Sequence, residues 1–273
     1  MPSTKEEKQL YNEAIREPRE QLENKKKQIK DIALKKRKNV NISQYYNLEL
    51  AMLHLDSVML YINMNDSSVQ YLDLRNSSFL DNARKEFYKA IQMMEEIVGW
   101  DIDRSLAENK DYLATVNKLT IRNVLHIARR FSYVFDTLKD KTGESSKWKW
   151  SFVDLNVRIA AVIKNMINFS ELEQYRNFRS EYFKDREEII KLCKISLEDA
   201  AKEARNKYEM STKAPEDIRK AVELLTALRS INMLYGEKTE AQKNKTVIDA
   251  LRARVDAEEK KQDSEKKKKV SEK

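Results

Sequence analysis

Glycine and proline each occur only three times in 273 residues, histidine twice and cysteine once. Average usage is about 7% glycine and 5% proline. Sheets closed by tight turns need glycine for positive φ, and so do loops that cradle phosphate. With glycines only at 99, 143 and 236, neither a P-loop nor a Gly-x-Gly-x-x-Gly fingerprint can be written. The lone Cys193 excludes an internal disulfide. Long apolar runs are missing as well. Val58 to Ile62 and Ile159 to Ile163 fall far short of the roughly 20 residues a spanning helix requires, so no transmembrane segment is expected. No apolar stretch follows Met1-Pro2-Ser3-Thr4-Lys5, so no signal peptide is read there, although a processed chain with an added methionine would look the same.

The reactive side chains form no catalytic pattern. His54 and His126 lie in apolar helical contexts, and Ala51 and Asn123 stand where the carboxylate of a Glu-x-x-His pair would be. His-Glu-x-x-His, Cys-x-x-Cys and Gly-x-Ser-x-Gly are absent. Lys191 and Lys194 could lower the pKa of Cys193, but its place on an apolar stripe favours an inert buried thiol. No enzyme, metal or cofactor is expected.

What remains is helix-forming sequence. Ala, Glu, Lys, Leu and Arg make up nearly half of the chain, and charged residues reach 36% against a usual value near 25%. So much charge implies thin bundles with a large surface. The expected fold class is all-α: an elongated, bent helical bundle with one or more very long helices.

Four segments are expected. Residues 1–38 read as a basic N-terminal helix, with a capping box at Ser3-Thr4 and Glu6-Glu7 and an interruption at Pro18, where Glu17 could cap a new start. Ile15, Leu22 and Ile29 give it one narrow apolar stripe. Residues 39–168 read as the helical core. Between Tyr45 and Met64 the apolar residues cover every face, which places that helix at the centre. A polar loop is expected over 65–76. An amphipathic helix follows from Phe79 to Val98, capped by Ser78 and closed by Gly99, then a short helix near 105–116. Thr120 caps a further helix closed by Gly143, and 144–150 form a loop. Ser151 to Ser211 contains no glycine or proline. As one helix it would span about 90 Å, although Phe169-Ser170-Glu171 could start a new one. Residues 169–257 read as a long-helix arm, with Pro215 starting one helix and Gly236 closing it. Residues 258–273, mostly Lys and Glu, read as a frayed or disordered tail.

Two regions carry candidate binding residues. Residues 19–38 hold nine Lys or Arg against Glu20, Glu23 and Asp31. Lys25, Lys26, Lys27, Lys30, Lys35, Lys36 and Arg37 are the candidates for meeting an acidic protein, an anionic lipid surface or nucleic acid; a plain solvated face is the alternative. Nucleic acid fits least, because the segment has no aromatic residue to stack on a base. The second region is aromatic. Trp148 and Trp150 either lock a loop onto the core or mark an exposed hot spot. Tyr175, Phe178, Tyr182 and Phe183 cover more than one face of the expected helix, so a single stripe cannot bury all four.

The helical layout, the Lys147-Trp148-Lys149-Trp150-Ser151-Phe152 stretch running into Asn165-Met166-Ile167-Asn168-Phe169, and the Lys/Glu-rich tail resemble the flagellar coiling proteins of spirochaetes. That resemblance implies a structural protein lining a periplasmic flagellar filament, in contact with core or sheath subunits and with copies of itself. A periplasmic location would require this chain to be the processed form; otherwise it is cytoplasmic. The expected function is lateral, non-enzymatic docking onto a filament or large complex. The alternative is a cytosolic helical adaptor that uses its basic first helix on nucleic acid or an anionic membrane.

Overall fold

A computed structural model describes residues 4–143 and 146–271, with side-chain surroundings as far as Ala257. Among the described residues every regular element is helical and no strand occurs, so the chain is all-α. Helix α1 (Lys5–Ala14) opens with the expected capping box: the Glu7 N–H donates to Thr4 Oγ1 at 3.2 Å, and the Thr4 N–H to Glu7 Oε2 at 2.7 Å. Helix α2 (Arg16–Lys38) follows after a break at Ile15. Pro18 has no N–H for the Ala14 carbonyl, so the break falls one turn before it. Glu17 is not the cap; Ile15 holds that position without a side-chain hydrogen bond.

Helix α3 (Ser43–Leu72) runs about 45 Å at 1.5 Å per residue. The loop expected over 65–76 therefore begins only at Asp73, a left-handed C-cap. Asn65 and Ser68 are polar but buried, and Asn65 Oδ1 accepts the N–H of Asn76 at 2.9 Å. These side chains serve the helix interior and its next connection rather than solvent. Asn76, and not Ser78, caps α4 (Ser77–Val98), accepting from Ser78 and Phe79; Gly99 closes it at φ +72°. A short α5 (Asn109–Leu113) precedes α6 (Ile121–Thr142), which Thr120 and Asn123 cap reciprocally.

Ser151 to Ser211 is not one helix; a new helical turn starts at Phe169, the alternative start named for this stretch. Helix α7 (Lys149–Asn165) stops, a single turn α8 (Phe169–Leu172) follows, and α9 (Phe183–Lys207) begins only after an irregular stretch. Side-chain amides compete for the backbone here. Asn109 Nδ2 donates to the Lys164 and Ile167 carbonyls at 2.9 and 3.0 Å, and Asn168 Oδ1 caps α8 through the Glu171 N–H. After a π turn over Tyr208–Thr212 come α10 (Pro215–Leu234) and α11 (Lys238–Ser271). Helix α11 extends to Ser271, into the Lys/Glu-rich segment that the composition reads as a tail. The Glu144-Ser145 part of the expected loop and the side chains of 258–273 lie outside the described residues.

The chain divides into two compact units: residues 1–99 with 111–149, and residues 100–110 with 150–273. The 39–168 interval expected as one core region is thus shared between them. In the first unit α3 packs against α1, α2, α4 and α6, as its all-round apolar surface demands. Leu55, Val58 and Ala51 are fully buried. Ile15 and Leu22 meet Leu60 and Met64, while Ile32 meets Leu50 and Leu53. Phe87 of α4 stands edge-on to Phe131 of α6 at 6.0 Å. In the second unit α10 packs between α9 and α11, burying Ile189, Leu197, Leu224 and Ile231.

Candidate interaction surfaces

The basic helix α2 is split in its use of charge. Lys25 reaches Asp56 of α3 at 2.8 Å, and Asp56 also pairs with Arg130 of α6; Lys36 reaches Glu96 of α4 at 2.5 Å. Lys26 closes on Glu23 of its own helix at 2.7 Å. The Lys25 and Lys36 pairs fix the inward edge of the helix, while Lys26 and Glu23 pair on its exposed side. Lys27, Lys30, Lys35 and Arg37 are exposed, as is Lys38. Leu34, 53% exposed, stands among them, and the short turn beyond α2 carries Val40 at 73% and Ile42 at 46%. The sequence reading missed these three aliphatic residues. Their signal was Leu34 lying outside the Ile15–Leu22–Ile29 stripe.

The two tryptophans do not share one role. Trp148 is half-buried in the first unit, with the Arg84 guanidinium 3.8 Å from its ring centre and Lys147 at 5.0 Å. Its ring therefore lies against Arg84 of α4. Trp150 is half-buried in the second unit, inside the first turn of α7.

The four aromatic residues from 175 to 183 do not lie on one helix. Tyr175 ends a 3-10 turn, Phe178 sits in the irregular stretch, Tyr182 precedes α9 and Phe183 begins it. Asn177 organises the stretch: its Oδ1 accepts from the Arg179 N–H at 2.9 Å and its carbonyl from the Ser180 N–H at 2.8 Å. The structure brings Tyr175 and Tyr182 together edge to face at 5.2 Å, and Tyr175 donates to Glu171 at 3.2 Å. Phe178 remains 73% exposed, with Arg179 5.4 Å from its ring centre. Phe183 turns into a pocket of about 500 Å³ whose walls also include Arg176, Arg186, Ile190, Leu234 and Tyr235. Arg186 is buried there, its Nε donating to the Leu172 carbonyl at 3.0 Å, with Glu173 and Glu187 beside it. Burial pushes the Tyr235 hydroxyl up to about 12, so it stays neutral, and its oxygen is buried without a hydrogen-bond partner among the described residues.

Of the groups considered for chemistry, His54 and Cys193 are buried and His126 is not. His54 is buried against Glu86, whereas His126 is exposed. Cys193 is fully buried, and burial pushes its thiol up to about 12, as an inert core thiol requires. Lys164 is fully buried, donating to the Ile102 and Arg104 carbonyls at 2.6 and 2.7 Å. Among the described residues no helix is long and apolar enough to cross a membrane.

A family model, that of the TP0443 family, matches residues 7–259. The chain belongs to the TP0443 family. The match spans both units and takes in every candidate residue described above, the basic face of α2, the tryptophan pair and the 175–183 aromatic segment alike. No curated protein and no solved structure matches the chain.

Proposed function

We propose that this TP0443-family chain is a non-enzymatic structural or assembly protein that docks laterally onto a filament or other large protein complex. Following its resemblance to the flagellar coiling proteins, the filament is a periplasmic flagellum, and the contacts are with its core or sheath subunits and with copies of the chain itself. The observation that carries this reading is Phe178, 73% exposed in a hydrogen-bonded turn beside Arg179. Aromatic residues and arginine dominate the energetics of protein interfaces, and an exposed phenylalanine held by backbone hydrogen bonds loses little freedom on docking.

The reading is tested by co-sedimenting the purified chain with purified spirochaete flagellar filaments. Saturable binding by the wild-type chain is expected. Binding should weaken about tenfold or more in a Phe178→Ser, Arg179→Ser variant. Absence of the chain from the filament pellet at all concentrations would rule the proposal out.

A further inference from the structure

The outward face of α2 has a composition that neither its own core nor the proposed filament contact uses. Helical spacing places Lys27, Lys30, Arg37 and Lys38 at seven and four residues before Leu34 and three and four after it, all on one face. Each of the four is exposed, and so is Leu34 at their centre. That face lies opposite the buried Leu22 and Ile32. The same face also carries acids: Glu20 and Glu23 toward its start, the latter closed on Lys26, and Asp31 three residues before Leu34, so the cations prevail in its C-terminal half, where Lys27, Lys30, Arg37 and Lys38 face Asp31 alone. At Asn39 the chain leaves helical geometry, and the turn Val40–Ile42 then presents two more exposed aliphatic side chains. Lys25 and Lys36, by contrast, are tied back to Asp56 and Glu96, so the helix is held with its cations turned outward.

From this arrangement we infer that the α2 face and the Val40–Ile42 turn form a docking surface for an anionic lipid bilayer. Lysine and arginine reach phosphate headgroups at the depth where aliphatic side chains enter the acyl boundary, and their own stems remain in apolar contact. A nucleic-acid backbone offers the charge but nothing for Leu34, Val40 and Ile42 to bury against, and the face has no aromatic ring for stacking. An acidic protein would have to provide a socket shaped for a protruding turn. A fluid headgroup layer adapts to it. With four cations and three aliphatic residues the attachment is reversible and weakens with salt.

The test uses the full chain and phosphatidylcholine vesicles prepared with or without phosphatidylglycerol, read by co-sedimentation at low and high salt. Binding is expected to the anionic vesicles alone. Each cation near such a surface contributes roughly a fivefold gain, so Lys27→Gln, Lys30→Gln, Arg37→Gln and Lys38→Gln together should cost at least about a hundredfold. The variant Leu34→Ser, Val40→Ser, Ile42→Ser keeps every charge and should still lose roughly tenfold. A control with Lys184→Gln, Lys191→Gln, Lys202→Gln and Lys245→Gln removes the same net charge from exposed positions in the second unit and should bind nearly as wild type. The inference is overturned if anionic vesicles fail to retain the chain at low salt. It also falls if the control loses as much as the α2 variant, which would mean bulk charge alone, or if the aliphatic variant binds undiminished. Binding of duplex DNA without binding of vesicles would assign the face to nucleic acid instead. None of these outcomes depends on whether the Phe178 surface binds filaments.

Discussion

His54 Nδ1 stands 2.6 Å from a carboxylate oxygen of Glu86, joining α3 to α4 inside the first unit, and the other carboxylate oxygen of Glu86 takes Lys89 at 2.7 Å. Burial raises the pKa of the Glu86 carboxyl, but the hydrogen bonds from His54 and Lys89 outweigh it and hold the group below its ordinary value. A carboxyl with a folded pKa below its unfolded one stabilises the fold above the usual glutamate range, and that stability is lost as pH falls through the folded value. His54→Ala should therefore cost about 1–3 kcal/mol at pH 7, because it leaves a largely buried carboxylate short of a partner. The deficit should shrink toward acid pH. Urea unfolding at two pH values reads both quantities, and an equal deficit at each would contradict this account.

Lys164 and Cys193, both fully buried in the second unit, should give pH slopes of opposite sign. Burial brings Lys164 down to about 8 and pushes Cys193 up to about 12. Between the folded lysine value and its unfolded value near 10.4, the unfolded chain holds the extra proton, so the lysine makes stability rise with pH. Above about 9 the unfolded thiol releases a proton that the folded one keeps, so the cysteine makes stability fall. Relative to wild type, Lys164→Met should lose ground from pH 8 to about 10, and Cys193→Ala should gain ground above pH 9, each by up to about 1.4 kcal/mol per pH unit. Lys164→Met should also be destabilised at pH 7, since the Ile102 and Arg104 carbonyls lose their donor. Parallel curves for the two variants would refute the assignment.

The helices of the first unit were legible in the sequence because their signals are local. Thr4, Thr120, Gly99 and Gly143 stand at the expected helix ends, and the all-round apolar residues of α3 are buried at the centre. Whether Ser151–Ser211 is one rod or breaks at Phe169 stayed open in the sequence because part of what ends α7 is distant in the chain. Asn109 takes carbonyls of Lys164 and Ile167 more than fifty residues away, and no glycine or proline marks the place. The candidate surfaces were legible only in part. Charge density pointed to α2, but which lysines are spent on Asp56 and Glu96 depends on neighbours that periodicity does not reveal. The pocket beside Phe183 likewise takes one wall from the far end of α10, Leu234 to Glu237, which local periodicity does not bring beside Arg176 and Arg186.

Two glycines with positive φ should respond unequally to alanine. Gly143, at φ +81° and ψ +152°, lies outside the left-handed helical well, and a Cβ there would meet Arg75 Nη1 at 3.0 Å. Gly236, at φ +76°, ends α10 with the Glu237 N–H bonded to the Asn232 carbonyl at 2.8 Å and open space around it. Gly143→Ala should cost about 1–3 kcal/mol, and Gly236→Ala about 1. Thermal unfolding of the two variants provides the comparison. A larger loss at Gly236 would show that strain at the α6 terminus is not the dominant cost.

Lys207 of α9, 8% exposed, bridges Asp154 of α7 at 2.9 Å and Asp217 of α10 at 3.3 Å, and Thr212 also donates to Asp217 at 2.6 Å. Burial lowers the lysine pKa, yet the two carboxylates raise it more, so its folded value lies above the ordinary one. Its contribution is complete below about pH 10 and declines as pH rises through the folded value. Lys207→Met removes the cation but leaves Asp217, itself only 4% exposed, charged and buried. Breaking one side of a buried pair costs about 3–5 kcal/mol. The double variant Lys207→Met, Asp217→Asn should recover part of that loss, because the remaining amide can still accept from Thr212. Equal stability of the single and double variants, measured by guanidinium unfolding, would mean that the Asp217 charge is not what makes the single substitution costly.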